Sequence, residues 1–285
     1  MATLVEATGL SKHYGKLVAL DHVNFKIGAG RIVGLIGRNG AGKTTALKAI
    51  LGLTRYEGQL QVCGLDPLVD RYAVTQQVCF IADTAVLPRW LRVADAVDYV
   101  DGVHPRFDRA RAAAFLRSTT IAQRSRVGEL SKGMITQLHL ALILAIDARL
   151  LVLDEPTLGL DLLYRRQFYD TLVNDYFDKE RTILLTTHQV EEVENLLTDV
   201  LFIDRGRVVL DSPVEALGER YLQLLAHPDK LTVARALQPF YEREVFGRHV
   251  LFFDHQPVHV LAELGEVRTP SIADLFVAKM QEQPT

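Results

Sequence analysis

Cysteine is nearly missing from this chain: among 285 residues only Cys63 and Cys79 occur. Two thiols at that spacing make neither a disulfide framework nor a zinc site. They read as small core residues, and a reducing cytoplasm suits them. An excess of one charge is also lacking. The chain has 32 Lys and Arg against 35 Asp and Glu, a formal charge of -3 and a pI of about 6.3. No basic run gathers the cations, so the footprint of a nucleic-acid binder is absent. Long apolar runs are missing too. The most apolar stretch, residues 138–153, is broken by Asp147 and Arg149, well short of a membrane span. The N-terminus enters alternating residues with no apolar signal core, so any membrane role is expected to be peripheral. Neither an internal repeat nor a low-complexity tract is visible, which excludes solenoids and tandem duplications.

What is present is a chain that is 48% hydrophobic, enough for one large core and a small appendage. Residues 4–14 and 17–27 alternate around Gly15-Lys16 and read as an antiparallel pair. The apolar run 32–36 reads as a buried strand that leads through a glycine-rich turn into a helix over 43–53. Short strands are expected at 58–64 and 78–81. Helical spacing then dominates residues 93–148, with a break at Pro105, within an insertion over about 88–148. Next comes an alternation of strand 150–153, helix 162–177, strand 182–186, helix 190–197 and strand 200–203. That order implies parallel strands covered by helices. Beyond about residue 227 the pattern changes: 232–236 and 250–253 look strand-like and 271–280 looks like an amphipathic helix. The expected architecture is an α/β cassette over residues 1–226, with an N-terminal antiparallel subdomain and a helical insertion, followed by an α+β accessory segment over 227–285.

The string GRNGAGKTT, residues 37–45, fits the phosphate-binding loop pattern and lies between an expected strand and an expected helix, the context that pattern requires. Gly37, Gly40 and Gly42, with Asn39 and Ala41 between them, let the backbone approach phosphates. The amides that open the helix, through Thr45, point at the anion. Lys43 can neutralise charge on the β and γ groups, and the Thr44 hydroxyl can join a Mg²⁺ shell. At the carboxyl end of the strand over 150–153 stand Asp154 and Glu155, where ligands bind in parallel sheets. Asp154 suits the metal shell, and Glu155 suits polarisation of an attacking water.

Further motifs in matching order make residues 1–225 resemble the ATP-binding subunits of ABC transporters. That resemblance implies a P-loop NTPase core, Mg²⁺ with ATP as the cofactor, and ATP hydrolysis coupled to transport. It makes Tyr14 the aromatic that stacks on adenine. LSKGM, residues 130–134, resembles the signature LSGGQ, so that Ser131, Lys132 and Gly133 would meet ATP held by the other subunit of a head-to-tail homodimer. Gly159-Leu160-Asp161 resembles the loop that crosses this interface. His188 matches the histidine that contacts the γ-phosphate, and Asp83 stands where the family usually has a metal-touching glutamine.

Departures are Lys132 and Met134 in the signature and Leu162 where proline is common. They resemble cassettes paired with small exporter-type permeases. The resemblance thus implies a motor docked on the inner face of the membrane against a separately encoded permease, with export favoured over import. The alternative from another class is a soluble ABC ATPase that serves a macromolecular assembly machine. In the accessory segment, Asp254, His255 and His259 could suggest a metal site, although a polar turn accounts for them better; dimer support or regulation is the expected role of that segment.

Overall fold

The computed structural model describes residues 2–81, 87–158, 160, 162–178 and 180–281. The chain opens with β1 (Thr3–Tyr14) and β2 (Leu17–Gly28), an antiparallel hairpin. Next come β3 (Ile32–Ile36), α1 (Lys43–Ile50), β4 (Glu57–Val62), α2 (Arg71–Thr75) and β5 (Val78–Ile81). The helical insertion contains α3 (Val93–Val103), α4 (Arg109–Arg117) and α5 (Lys132–Leu144). It is followed by β6 (Leu150–Asp154), α6 (Leu162–Thr171), β7 (Thr182–Thr187), β8 (Asp199–Asp204) and β9 (Arg207–Pro213). The last part contains α7 (Val214–Arg220), β10 (Tyr221–Ala226), α8 (Leu231–Ala236), β11 (Tyr241–Val245), β12 (Arg248–Asp254), α9 (Val258–Ala262), β13 (Gly265–Arg268) and α10 (Ile272–Gln281).

The central sheet has the order β5-β6-β7-β3-β8-β9. All its pairings are parallel except that of β8 with β9. Every residue of β3, β6 and β7 is buried, the pattern expected of parallel strands with both faces covered. One face packs with α1 and the β2-β1-β4 sheet in a single apolar cluster that includes Leu10, Leu35, Leu47 and Val152. The other packs on α5 and α6 through Leu140, Leu151, Phe168 and Leu185. The α/β fold with its parallel sheet, antiparallel subdomain and helical insertion is as the sequence predicted.

Three local expectations differ. Residues 162–177 do not form one α-helix: α6 stops at Thr171 and the chain widens into a π turn, Leu172–Tyr176. There the Phe177 amide donates to Leu172 O and Arg111 donates to Asp175 O. Residues 190–197 form only a 3-10 turn, Val190–Glu192, with Val190, Val193 and Leu197 buried in one core cluster. Residues 232–236, expected as a strand, are the helix α8. A proline-led 3-10 turn, Pro228–Lys230, precedes it. Leu231, Ala234 and Leu237 then fall three apart on the face that packs against β10 and β12, a helical period and not an alternating one.

The second sheet, β11-β12-β10-β13, takes a middle strand from Tyr221–Ala226, just ahead of the expected accessory segment. The two sheets share packing. Tyr221, Ile272 and Leu275 belong to the same cluster as Val190, Val193 and Leu197. Phe276 of α10 meets Phe202 of β8 edge to face at 5.3 Å, and α10 contacts the Val190–Glu192 turn. Asp254 receives both Nε and Nη2 of Arg220 at 2.8 and 2.9 Å, so the turn is occupied by an ion pair. Among the described residues no helix is long and apolar enough to cross a membrane.

Candidate functional site

The strand-turn-helix β3-α1 builds the floor of a cavity of about 580 Å³ at the carboxyl end of the central sheet. Residues 38–45 line it, together with Tyr14, Asp154, Glu155, Leu158 and His188. Gly42 occupies the position before the helix with φ 112°, a conformation closed to side chains, and a Cβ there would lie 2.5 Å from Ala19 O. This sharp entry aims the helix at the cavity. The first helical bond is made by the Ala46 amide to Gly42 O, so the amides of Lys43, Thr44 and Thr45 precede it and face outward as unpaired helix-start donors normally do.

Lys43 is only 7% exposed. Its Nζ donates to Gly37 O at 2.7 Å and Arg38 O at 3.4 Å, and lies 3.9 Å from Glu155 Oε1. Burial pulls its pKa below the ordinary lysine value, against the opposing pull of Glu155 and Asp154. An ammonium held so, with few partners and out of water, is suited to receive phosphate oxygens.

Asp154 is 5% exposed at the end of β6. Its Oδ1 accepts from Thr186 at 2.7 Å and from Thr44 at 3.4 Å. A buried carboxylate needs such donors. The same Thr186 hydroxyl oxygen accepts the Glu155 amide at 3.0 Å. Sequence reasoning missed Thr186, which sits one residue from the end of β7 directly opposite Asp154 in the parallel register. Glu155 itself has φ 49°, uncommon for a residue with a side chain. That backbone twist turns its carboxylate off the strand line to meet His188, whose Nδ1 is 2.8 Å from Glu155 Oε2.

Tyr14 stands at the cavity mouth, 46% exposed, with Lys12 Nζ 4.8 Å from its ring centroid. A flat face at that place can carry a base. Ser131, Lys132 and Gly133 are not among the residues that line the cavity. They open α5, where the Ser131 hydroxyl caps the helix by accepting the Met134 amide at 3.3 Å. Ser131 and Lys132 are exposed; Gly133 is buried against α6, so closely that a Cβ would come within 2.3 Å of the Tyr164 ring. Asp83 and Asp161 lie outside the described residues.

Comparisons with known proteins identify relatives of this chain. A family profile described as ABC transporter matches residues 20–158. The chain is 32% identical over 248 residues to daunorubicin resistance ATP-binding protein DrrA3 of Streptomyces coeruleorubidus, covering 83% of this chain and 78% of the relative. It is 31% identical over 298 residues to Nod factor export ATP-binding protein I of Paraburkholderia xenovorans, covering 96% of this chain and 95% of that one. Among solved structures, an ATP-binding subunit of an ABC transporter aligns with TM-score 0.68 and 28% identity, over 75% of this chain and 92% of that one. Glycine-rich loop, buried lysine, paired carboxylates, histidine and these relatives converge: the chain belongs to the ATP-binding proteins of the ABC transporter family, whose reaction is ATP hydrolysis that drives transport.

Proposed function

We propose that two copies of this chain close head to tail around two Mg-ATP and drive a separately encoded membrane permease, working as an export motor peripheral to the cytoplasmic face of the membrane. The observation that carries the hydrolytic part is the Glu155–His188 contact at 2.8 Å on the rim of the phosphate-loop cavity. Export is supported by the relatives named for drug resistance and Nod factor export.

In this reading the residues divide the work by position. Tyr14 holds the base, while residues 37–45 and Lys43 hold the phosphates. Thr44 and Asp154 present adjacent hard oxygens, 3.4 Å apart, a donor pair that would hold Mg²⁺. The chemistry such a metal would supply there is neutralisation of phosphate charge. Glu155 orients the attacking water as general base, and His188 fixes the carboxylate and reaches the γ-phosphate. Because Ser131 and the amides of Lys132 and Gly133 stand apart from the cavity of their own chain, their contact with a γ-phosphate requires a second copy. Asp161 would face that interface, and Asp83 would touch the metal. The accessory segment would support dimerisation or regulation.

The test is Glu155→Gln. The variant is expected to bind ATP, to dimerise with Mg-ATP in light scattering, and to release phosphate at least 100-fold more slowly, roughly the loss typical of a missing general base. Undiminished turnover removes Glu155 from the role. The trapped variant should also retain a polytopic protein from detergent-solubilised membranes; soluble assembly partners in its place would favour the other class of ABC ATPase.

A further inference from the structure

The segment that carries His188 has little structure of its own. Beyond the end of β7 it contains one 3-10 turn, Val190–Glu192, and His188 is 41% exposed with its ring bonded to Glu155. From below, Val190 and Val193 anchor it in the core. From the side it is held by Arg165, near the start of α6. The Arg165 Nη1 donates to Gln189 Oε1 and pairs with Glu192, while its Nε donates to Leu160 O at 2.7 Å. Arg165 is 19% and Glu192 22% exposed, so these charge-assisted bonds are only partly screened by water.

Leu160 lies on the turn that leads from Glu155 into α6: the Leu158 amide bonds Glu155 O and the Leu160 amide bonds Thr157 O. A single planar guanidinium therefore joins the segment that follows the carboxylate to the residue beside the histidine. Thr186 and the β6–β7 register tie Glu155 to the end of β7, and beyond that end the 2.8 Å Glu155–His188 contact depends on how the segment after His188 is held.

We propose that Arg165 is a positioning residue for hydrolysis, a clamp that keeps the His188 ring within hydrogen-bond reach of Glu155 while it stays out of the nucleotide cavity. This rests on the assignment of Glu155 and His188 to the attacking water. Lysine cannot replace it, because one ammonium on a flexible stem cannot satisfy a carbonyl, an amide oxygen and a carboxylate in fixed directions.

The experiment measures kcat and ATP affinity for Arg165→Lys, Arg165→Ala, Glu192→Ala and the Arg165→Ala/Glu192→Ala pair, beside Glu155→Gln. Arg165→Lys is expected to lose roughly 10–100-fold in kcat, since displacement of a catalytic group by about 1 Å costs rates of this order. Its affinity for a fluorescent ATP analogue should be unchanged, because the phosphate loop is untouched. The double variant should be no slower than Arg165→Ala alone, as expected of two partners in one contact. Full kcat in Arg165→Lys, a parallel loss of affinity and kcat, or simple additivity in the pair each overturns the clamp. If Glu155→Gln is inactive while Arg165→Lys is fully active, the clamp alone fails; if Glu155→Gln turns over normally, the underlying assignment fails.

Discussion

Replacing Gly42 and Gly40 by alanine, one at a time, separates two costs that the phosphate loop imposes. Gly40 has φ 80° and nothing within 4 Å of where a Cβ would stand. Gly40→Ala therefore meets only the left-handed backbone penalty, roughly 1–2 kcal/mol. Gly42 has φ 112°, and its Cβ would stand 2.5 Å from Ala19 O and 3.1 Å from Leu20 Cδ2. The oxygen belongs to β2 backbone and cannot swing away as a side chain could. Overpacking of this kind adds about 1–3 kcal/mol. Gly42→Ala should accordingly fall below Gly40→Ala in stability by about 1–3 kcal/mol, or roughly 2–12 °C in Tm at ~2–4 °C per kcal/mol. Urea denaturation of the nucleotide-free proteins reads the difference as a shift in midpoint with unchanged slope. ATP affinity should fall further in Gly42→Ala, because relief of the clash moves the start of α1 and the amides of residues 43–45 with it. Equal midpoints for the two variants, within about 0.5 kcal/mol, would show that the entry to α1 yields without cost, and the argument that Gly42 aims the helix would be wrong.

Two further perturbations test the electrostatics and the core. Lys43 has its pKa lowered by burial from an ordinary 10.5, so between that lowered value and 10.5 the unfolded chain binds more protons than the folded one. Stability of the wild type relative to Lys43→Met should rise with pH across that window, and be at its lowest below it; a flat difference in alkaline urea titrations would contradict the buried charge. Cys79, buried on β5, has its thiol pushed up to about 12 by burial. It should resist thiol reagents in the native protein and react once the chain unfolds; rapid native labelling of Cys79, identified by peptide mass, would refute its place in the core.

The phosphate-loop side of the cavity was legible because its signals are local. Residues 37–45 carry their own loop geometry, and Asp154-Glu155 follow an apolar run read as a strand and take their weight from the motifs around them. Thr186 and Arg165 were not legible for the opposite reason. Thr186 matters because β6 and β7 lie in a register that sets it beside Asp154, and Arg165 because Gln189 and Glu192, 24 and 27 residues further along the chain, converge on it. Neither residue has a helical or sequence neighbour that announces the contact. The last third of the chain misled for a related reason. The run at 232–236 contains β-branched residues, yet Leu231, Ala234 and Leu237 face a sheet that the sequence had not revealed. Asp204–Arg207 does hold a hairpin signal, since Arg205 and Gly206 both have positive φ, and it leads into β9, which the strand pattern alone had not identified.

The packing of α10 changes what removal of the C-terminal segment would mean. Ile272 and Leu275 sit in one apolar cluster with Val190, Val193 and Leu197, and α10 touches the Val190–Glu192 turn. A chain cut near residue 227 would lose the underside of the segment that holds His188, along with three of the four strands of the second sheet. Slow ATP turnover in such a truncated protein would therefore not by itself identify a regulator, because the support of the histidine is removed with it. Single substitutions on the outer face of the second sheet, which leave Ile272 and Leu275 in place, are the variants that can isolate whatever that sheet contributes.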